Sequence, residues 1–154
     1  MEQLFSLSGL LVMPFWGLMM LLPAWRWTRK IIESPLIAVA PALLYAALVI
    51  PELATVLPAV MNPNLGGIAA LLATPAGATI GWVHFLAFDL FVGRWIYLDS
   101  RERGIHALLI SPILFLTLML GPCGFLTYLA VRALAQRVSG SAPAAAPSLK
   151  EAAQ

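Results

Sequence analysis

Long apolar runs, separated by short stretches rich in charge or in Asn, Gly and Pro, set the pattern of this chain. A helix needs roughly 20 mostly apolar residues to cross the hydrocarbon core of a bilayer. Leu4–Trp25 supplies one such run. Pro35–Leu57 supplies a second, with Ser34 placed to cap it and Pro35 at the first helical position, where a missing N–H costs nothing. Ala76–Leu98 is the third, and the fourth runs from Ile105 or Pro112 to Leu134. Between the second and third, Asn62-Pro63-Asn64 and Gly66-Gly67 break any continuous helix. Ile68–Ala73 in that stretch is apolar but too short to span, which suits a short interfacial helix. No run shows the weak alternation of a barrel strand. The expected fold is all-α: an integral membrane bundle of four transmembrane helices over residues 1–138, then a disordered Ala/Pro/Ser-rich tail over 139–154.

Composition supports this picture. The chain is 61% hydrophobic and only 10% charged, too little polar surface to keep a soluble globule of 154 residues wetted. Lipid is the expected partner. A net charge of +2 and the lack of a basic stripe with interleaved aromatics argue against nucleic acid. The single cysteine, Cys123, cannot form an intrachain disulfide or complete a zinc set with His84 and His106, so no metal and no cofactor is expected. Glu2 stands where a signal peptide would be basic and no small-residue cleavage site follows, so Leu4–Trp25 reads as a retained span, and the absence of a transit segment suits a bacterial or mature chain.

Charge also sets an expected orientation. Arg26, Arg29 and Lys30 mark the first loop, Arg101 and Arg103 the third, and the second carries no charge. Positive residues favour the cytoplasmic side, so these loops face in and both termini face out; Arg132 and Arg137 argue the other way. Trp25, Trp27, Trp95 and Tyr97 fall near span ends, as interfacial aromatics do. Glu52 sits near the outer interface.

The third run carries the chemistry. His84, Asp89 and Arg94 all lie within it, and an ionisable group at mid-membrane costs about 2.5–3.5 kcal/mol on the mildest insertion scale. Such groups are usually paired and usually functional. Their five-residue spacing places them about 140° apart around a helix, so they cannot pair along one face. Partners must come from other helices, water or a ligand. Gly93, one turn after Asp89, allows a helix or a flat ligand to approach that carboxyl, and Gly77 with Gly81 forms a small-residue step for helix contact. His84, Phe88, Phe91 and Trp95 make one stripe, which by itself suits packing better than a pigment groove. Pro14, Pro41 and Pro122 each interrupt a helical ladder, and Gly121-Pro122-Cys123-Gly124 is the strongest break. Kinked helices around one straight charged helix suggest an internal cleft.

The motif His84-x4-Asp89-Leu90-Phe91-x2-Arg94, with Trp82 ahead, Asp99 behind and Gly121-Pro122-x-Gly124 later, resembles the abscisic-acid-deficient-four-like family of plants and cyanobacteria, over roughly Met1–Arg137. That resemblance implies a small four-span membrane protein in xanthophyll metabolism, since the plant members are required to make neoxanthin from violaxanthin. It implies a thylakoid membrane, or the plasma membrane of a photosynthetic bacterium. The reaction implied is redox-neutral: an epoxide opens while a neighbouring carbon loses a proton, giving an allene. One acid and one base suffice, and Asp89 as base with His84 as acid is the assignment that residue type and depth suggest, with the reverse also open. Trp82, Phe88, Gly93, Arg94 and Trp95 are the candidate substrate contacts. Two other readings stand beside the isomerase: a carotenoid-binding or assembly protein without catalysis, and a small proton-coupled transporter. A homo-oligomer would supply the missing partners of the mid-span charges.

Overall fold

The computed structural model describes residues 1–140, all of whose regular elements are helical. They are α1 (Glu2–Leu21), α2 (Arg26–Glu33), a 3-10 turn at Pro35–Ala38 leading into α3 (Val39–Val49), α4 (Leu53–Met61), α5 (Leu65–Leu72), α6 (Pro75–Glu102), α7 (Ala107–Met119) and α8 (Gly121–Gly140). The Ala/Pro/Ser-rich tail lies, from residue 141 on, outside the described residues.

Helix α6 is the axis of the molecule. Its 28 residues rise about 42 Å, enough to cross a bilayer and reach past both interfaces. Thr74 starts it by accepting the Gly77 N–H at 2.9 Å, and Pro75 fills the first helical position. Helix α1 lies alongside in the same direction: Phe5 stacks on Trp82, the Trp16 indole lies on Gly93, and Pro23 beyond its end accepts the Tyr97 hydroxyl at 2.8 Å. Helix α3 runs the other way, with Tyr45 against His84 and Leu48 beside Ile80 and Val83. One apolar core joins α1, α6, α7 and α8 through Trp16, Leu90, Ile96, Leu114 and Tyr128, all fully buried.

Two helices, α1 and α6, are long and apolar enough to cross a membrane, and α2 with Pro35–Val49 makes a third candidate bent by 69°. The bend has a cause in the sequence. Helix α2 is amphipathic, with Arg26, Arg29 and Lys30 exposed and Thr28 and Ile32 buried, so it lies across the ends of α1 and α6. Ser34 then stops it and restarts the chain, accepting the Leu36 N–H at 3.3 Å as its position before Pro35 leads one to expect. The charged first loop expected from the sequence is therefore itself a helix.

The second apolar run is also divided. Pro51 has no N–H to continue the ladder, and α3 gives way to α4 through a turn at Ile50–Glu52. The short helix expected between the second and third runs is α5, capped by Asn64, which accepts the Gly67 N–H at 2.8 Å. It presses on the start of α6 through the small-residue step: a side chain at Gly77 would overlap the Leu71 carbonyl, and one at Gly81 would come within 3.1 Å of Leu72 Cδ2.

The largest departure concerns the fourth run, which is a hairpin of two helices. Helix α7 has 13 residues and rises about 20 Å, short of the roughly 30 Å hydrocarbon core. At Leu120 the chain turns so sharply that a side chain on Gly124 would strike the Thr117 backbone, seven residues earlier. Helix α8 then retraces α7, parallel to α6: Gly121 lies at Asp89, Phe125 and Tyr128 at Trp95, and Tyr128 and Arg132 at Asp99. Pro122 starts a helix here instead of kinking one. The end of α8 thus returns to the end of the molecule that carries α2 and Arg103. This corrects the expectation that both described ends of the chain share one side, and it removes the conflict posed by Arg132 and Arg137. All arginines and lysines among the described residues now lie in the half of the molecule that holds α2 and the C-terminal end of α6. Among the described residues, the charged side chains of the opposite half are the acidic Glu2 and Glu52.

Candidate functional site

Asp89 stands at the middle of α6, and the tip of the α7–α8 hairpin reaches it there. Gly121 makes the approach possible, because a methyl group at that position would coincide with Asp89 Oδ1. The start of a 20-residue helix therefore abuts a carboxyl group. The positive end of the helix dipole favours negative charge at such a point. Asp89 makes no hydrogen bond or ion pair with another described residue, so its oxygens remain available to a ligand.

A groove of about 550 Å³ opens beside it, lined by Trp82, His84, Phe85, Leu86, Phe88, Asp89, Leu118, Met119, Gly121 and Pro122. Its floor is the hairpin tip and its wall one face of α6. His84 lies outward, its ring stacked on Phe88 at 4.8 Å between centroids and tilted against Tyr45 at 5.4 Å. Trp82, Phe85 and Phe88 are exposed to the surroundings of the bundle, so the groove is reached from the side and not from either end. An acid, an imidazole and three large aromatic rings thus share one otherwise apolar channel. The arrangement suits a long apolar molecule bearing a few oxygen atoms, with a carboxyl and an imidazole on the same groove about 7.5 Å apart in height along α6.

The structure brings together four of the sequence candidates, Trp82, His84, Phe88 and Asp89, and separates three. Gly93 faces away and is covered by the Trp16 indole, so its small size serves helix packing. Arg94 donates from Nε to the Ile32 carbonyl at 2.8 Å and from Nη2 to the Glu33 carbonyl, closing the C-terminal end of α2. Trp95 lies against Phe125 and Tyr128 and under Arg132, whose guanidinium is 5.5 Å from the ring centroid. That cluster continues to Asp99, which accepts hydrogen bonds from the Tyr128 hydroxyl and from Arg103 Nε at 2.7 Å and forms an ion pair with the Arg132 guanidinium, Nε 3.2 Å away. It clamps α8 to α6 and so holds the hairpin tip at Asp89. Sequence reading missed Phe85, Leu86, Leu118 and Met119 as groove residues, and Tyr45 as the ring that packs on His84; apolar residues in apolar runs carry no local mark of the cavity they line. Among the described residues no group of three His, Cys, Asp or Glu side chains converges to hold a metal.

Fold and site together define a small all-helical protein with helices able to cross a membrane and a side-opening apolar groove that holds an acid and an imidazole. The family described as ABA DEFICIENT 4-like matches residues 3–128, and the chain belongs to that family. Among curated proteins it is similar to Protein ABA DEFICIENT 4, chloroplastic, of Arabidopsis thaliana, with 28% identity over 139 residues. The match covers 86% of this chain but 62% of the Arabidopsis protein. No solved structure matches.

Proposed function

We propose that this protein acts on a xanthophyll held in the α6 groove, and that Asp89 and His84 perform a redox-neutral isomerisation of an epoxide end group. The observation that carries this reading is an unpaired carboxyl at mid-helix lining the same apolar channel as an imidazole. In the reaction the epoxide C–O bond breaks as its oxygen gains a proton, and a carbon nearby loses one, so the formula is unchanged. One group delivers the proton and the other accepts it, which needs two titratable side chains at one place in a channel that admits a polyene. Asp89, beside the start of α8, is the base and His84 the acid. Trp82, Phe85 and Phe88 supply flat apolar surface for the conjugated chain. Gly93, Arg94 and Trp95 support the groove by packing and do not line it.

In the membrane, α1, the bent pair and α6 form crossings, and the α7–α8 hairpin enters and leaves by one face. The basic end then lies on the cytoplasmic side, or the stromal side of a thylakoid. The groove consequently opens to lipid, where a xanthophyll resides, and needs no aqueous entrance.

Expression in a host that accumulates an epoxy-xanthophyll tests the proposal. Asp89→Asn keeps the shape and removes the ionisable group, so conversion is lost while the protein inserts and accumulates as wild type. His84→Gln behaves in nearly the same way. Full conversion by Asp89→Asn refutes the acid–base assignment, and pigment co-purifying with both variants but never converted by wild type establishes a binding protein instead.

A further inference from the structure

A second polar site lies at the basic end, remote from the groove. Between the end of α1, α2 and the last turns of α6 is a cavity of about 330 Å³ whose lining includes Pro23, Trp25, Arg26, Arg29, Tyr97 and Arg101. Among the described residues three guanidinium groups border it and no carboxylate does. Glu33, the nearest acid on α2, is taken up by Arg29 Nε at 2.8 Å and does not line the cavity. The Tyr97 hydroxyl already donates its hydrogen bond to the Pro23 carbonyl. Arg101 lies over the Tyr97 ring at 5.6 Å from the centroid, and its Nη2 is buried without a hydrogen-bond acceptor. A buried cationic donor left unsatisfied is costly, so this Nη2 calls for an acceptor beyond the described residues.

The position identifies the acceptor. The cavity is where α1 and α6 reach the membrane boundary, and Trp25 and Trp27 stand exposed there, as aromatic residues do at the headgroup level. Arginine forks match the oxygens of a phosphate in geometry as well as charge. We infer that this cavity seats the phosphodiester headgroup of an anionic membrane lipid on the basic side of the bilayer, held by Arg101 and Arg26 with Arg29 at its edge. The acyl chains run up beside α1 and α2, and the lipid fixes the amphipathic α2 across the ends of the two long helices.

The test uses the full chain purified in detergent, with native mass spectrometry as readout and phosphatidylglycerol or phosphatidylcholine added singly. Phosphatidylglycerol is retained in preference to phosphatidylcholine, and Arg101→Gln weakens that retention about tenfold, as loss of charge-assisted hydrogen bonds implies. Arg26→Gln, on an exposed position where folding is not at stake, weakens it in the same direction. Lys30→Gln, one turn along α2 and outside the cavity lining, leaves it unchanged. Equal retention of the two lipids, or of phosphatidylglycerol by wild type and both arginine variants, overturns the site. Displacement of the lipid by inorganic phosphate also overturns it, by assigning the cavity to a free anion.

Discussion

Gly121→Ala isolates the contact on which the proposed site depends. The added methyl would fall on Asp89 Oδ1, and the obstacle is a side chain fixed on the central helix while Gly121 itself opens α8. Either the carboxyl rotates out of place or the hairpin tip withdraws from α6. Overpacking of this kind costs about 1–3 kcal/mol, against which better helix propensity returns only about 0.5–1 kcal/mol. The net effect is destabilisation by up to about 2.5 kcal/mol, with displacement of the Asp89 carboxyl as its structural form. Gly17→Ala is the internal control, because a Cβ there meets nothing within 4 Å and Gly17 lies inside α1. It is neutral or stabilising by up to about 1 kcal/mol. Thermal unfolding in detergent reports the first quantity and xanthophyll conversion the second. Gly121→Ala lowers both and Gly17→Ala neither. If Gly121→Ala melts with wild type and converts substrate at the wild-type rate, the hairpin tip does not touch Asp89 and the site as described is wrong.

Two further outcomes follow from the arrangement of helices. With Cys123 replaced by Ala, single cysteines placed at positions 29, 101 and 137 are labelled from one side of the membrane and a cysteine at position 3 from the other; labelling of position 137 from the side of position 3 would show that α8 does not retrace α7. Arg94→Lys retains one of the two bonds to α2, so it lowers thermal stability by about 1–2 kcal/mol without altering pigment binding, and a selective loss of binding at unchanged stability would place Arg94 in the groove.

What the sequence determined by itself is the helical class, the long third helix expected over 76–98, and the presence of His84 and Asp89 within it. Each depends on a local rule. Apolar length favours a helix where lipid can offer no hydrogen bonds, and an ionisable group in such a run is costly wherever its neighbours lie. Capping by Ser34 before Pro35 and the small-residue step at Gly77 and Gly81 were legible for the same reason, since each depends on residues next to one another in the chain. Direction was not local. The run ending at Leu134 has the length of a span, and Gly121-Pro122 suits a kink as well as a reversal. Only the clamp between α8 and α6, where Asp99 meets Tyr128, Arg103 and Arg132, turns it back. The same fold-back decides what surrounds Asp89, because the carboxyl and Gly121 are separated by the whole of α7 in sequence and meet only when the hairpin closes. Gly93 shows the same limit: its spacing from Asp89 allowed a helix or a flat ligand to approach, and only the fold decides that it is Trp16 of α1. Residue type and spacing fix what a side chain can do, while packing between distant segments fixes which side chains do it together.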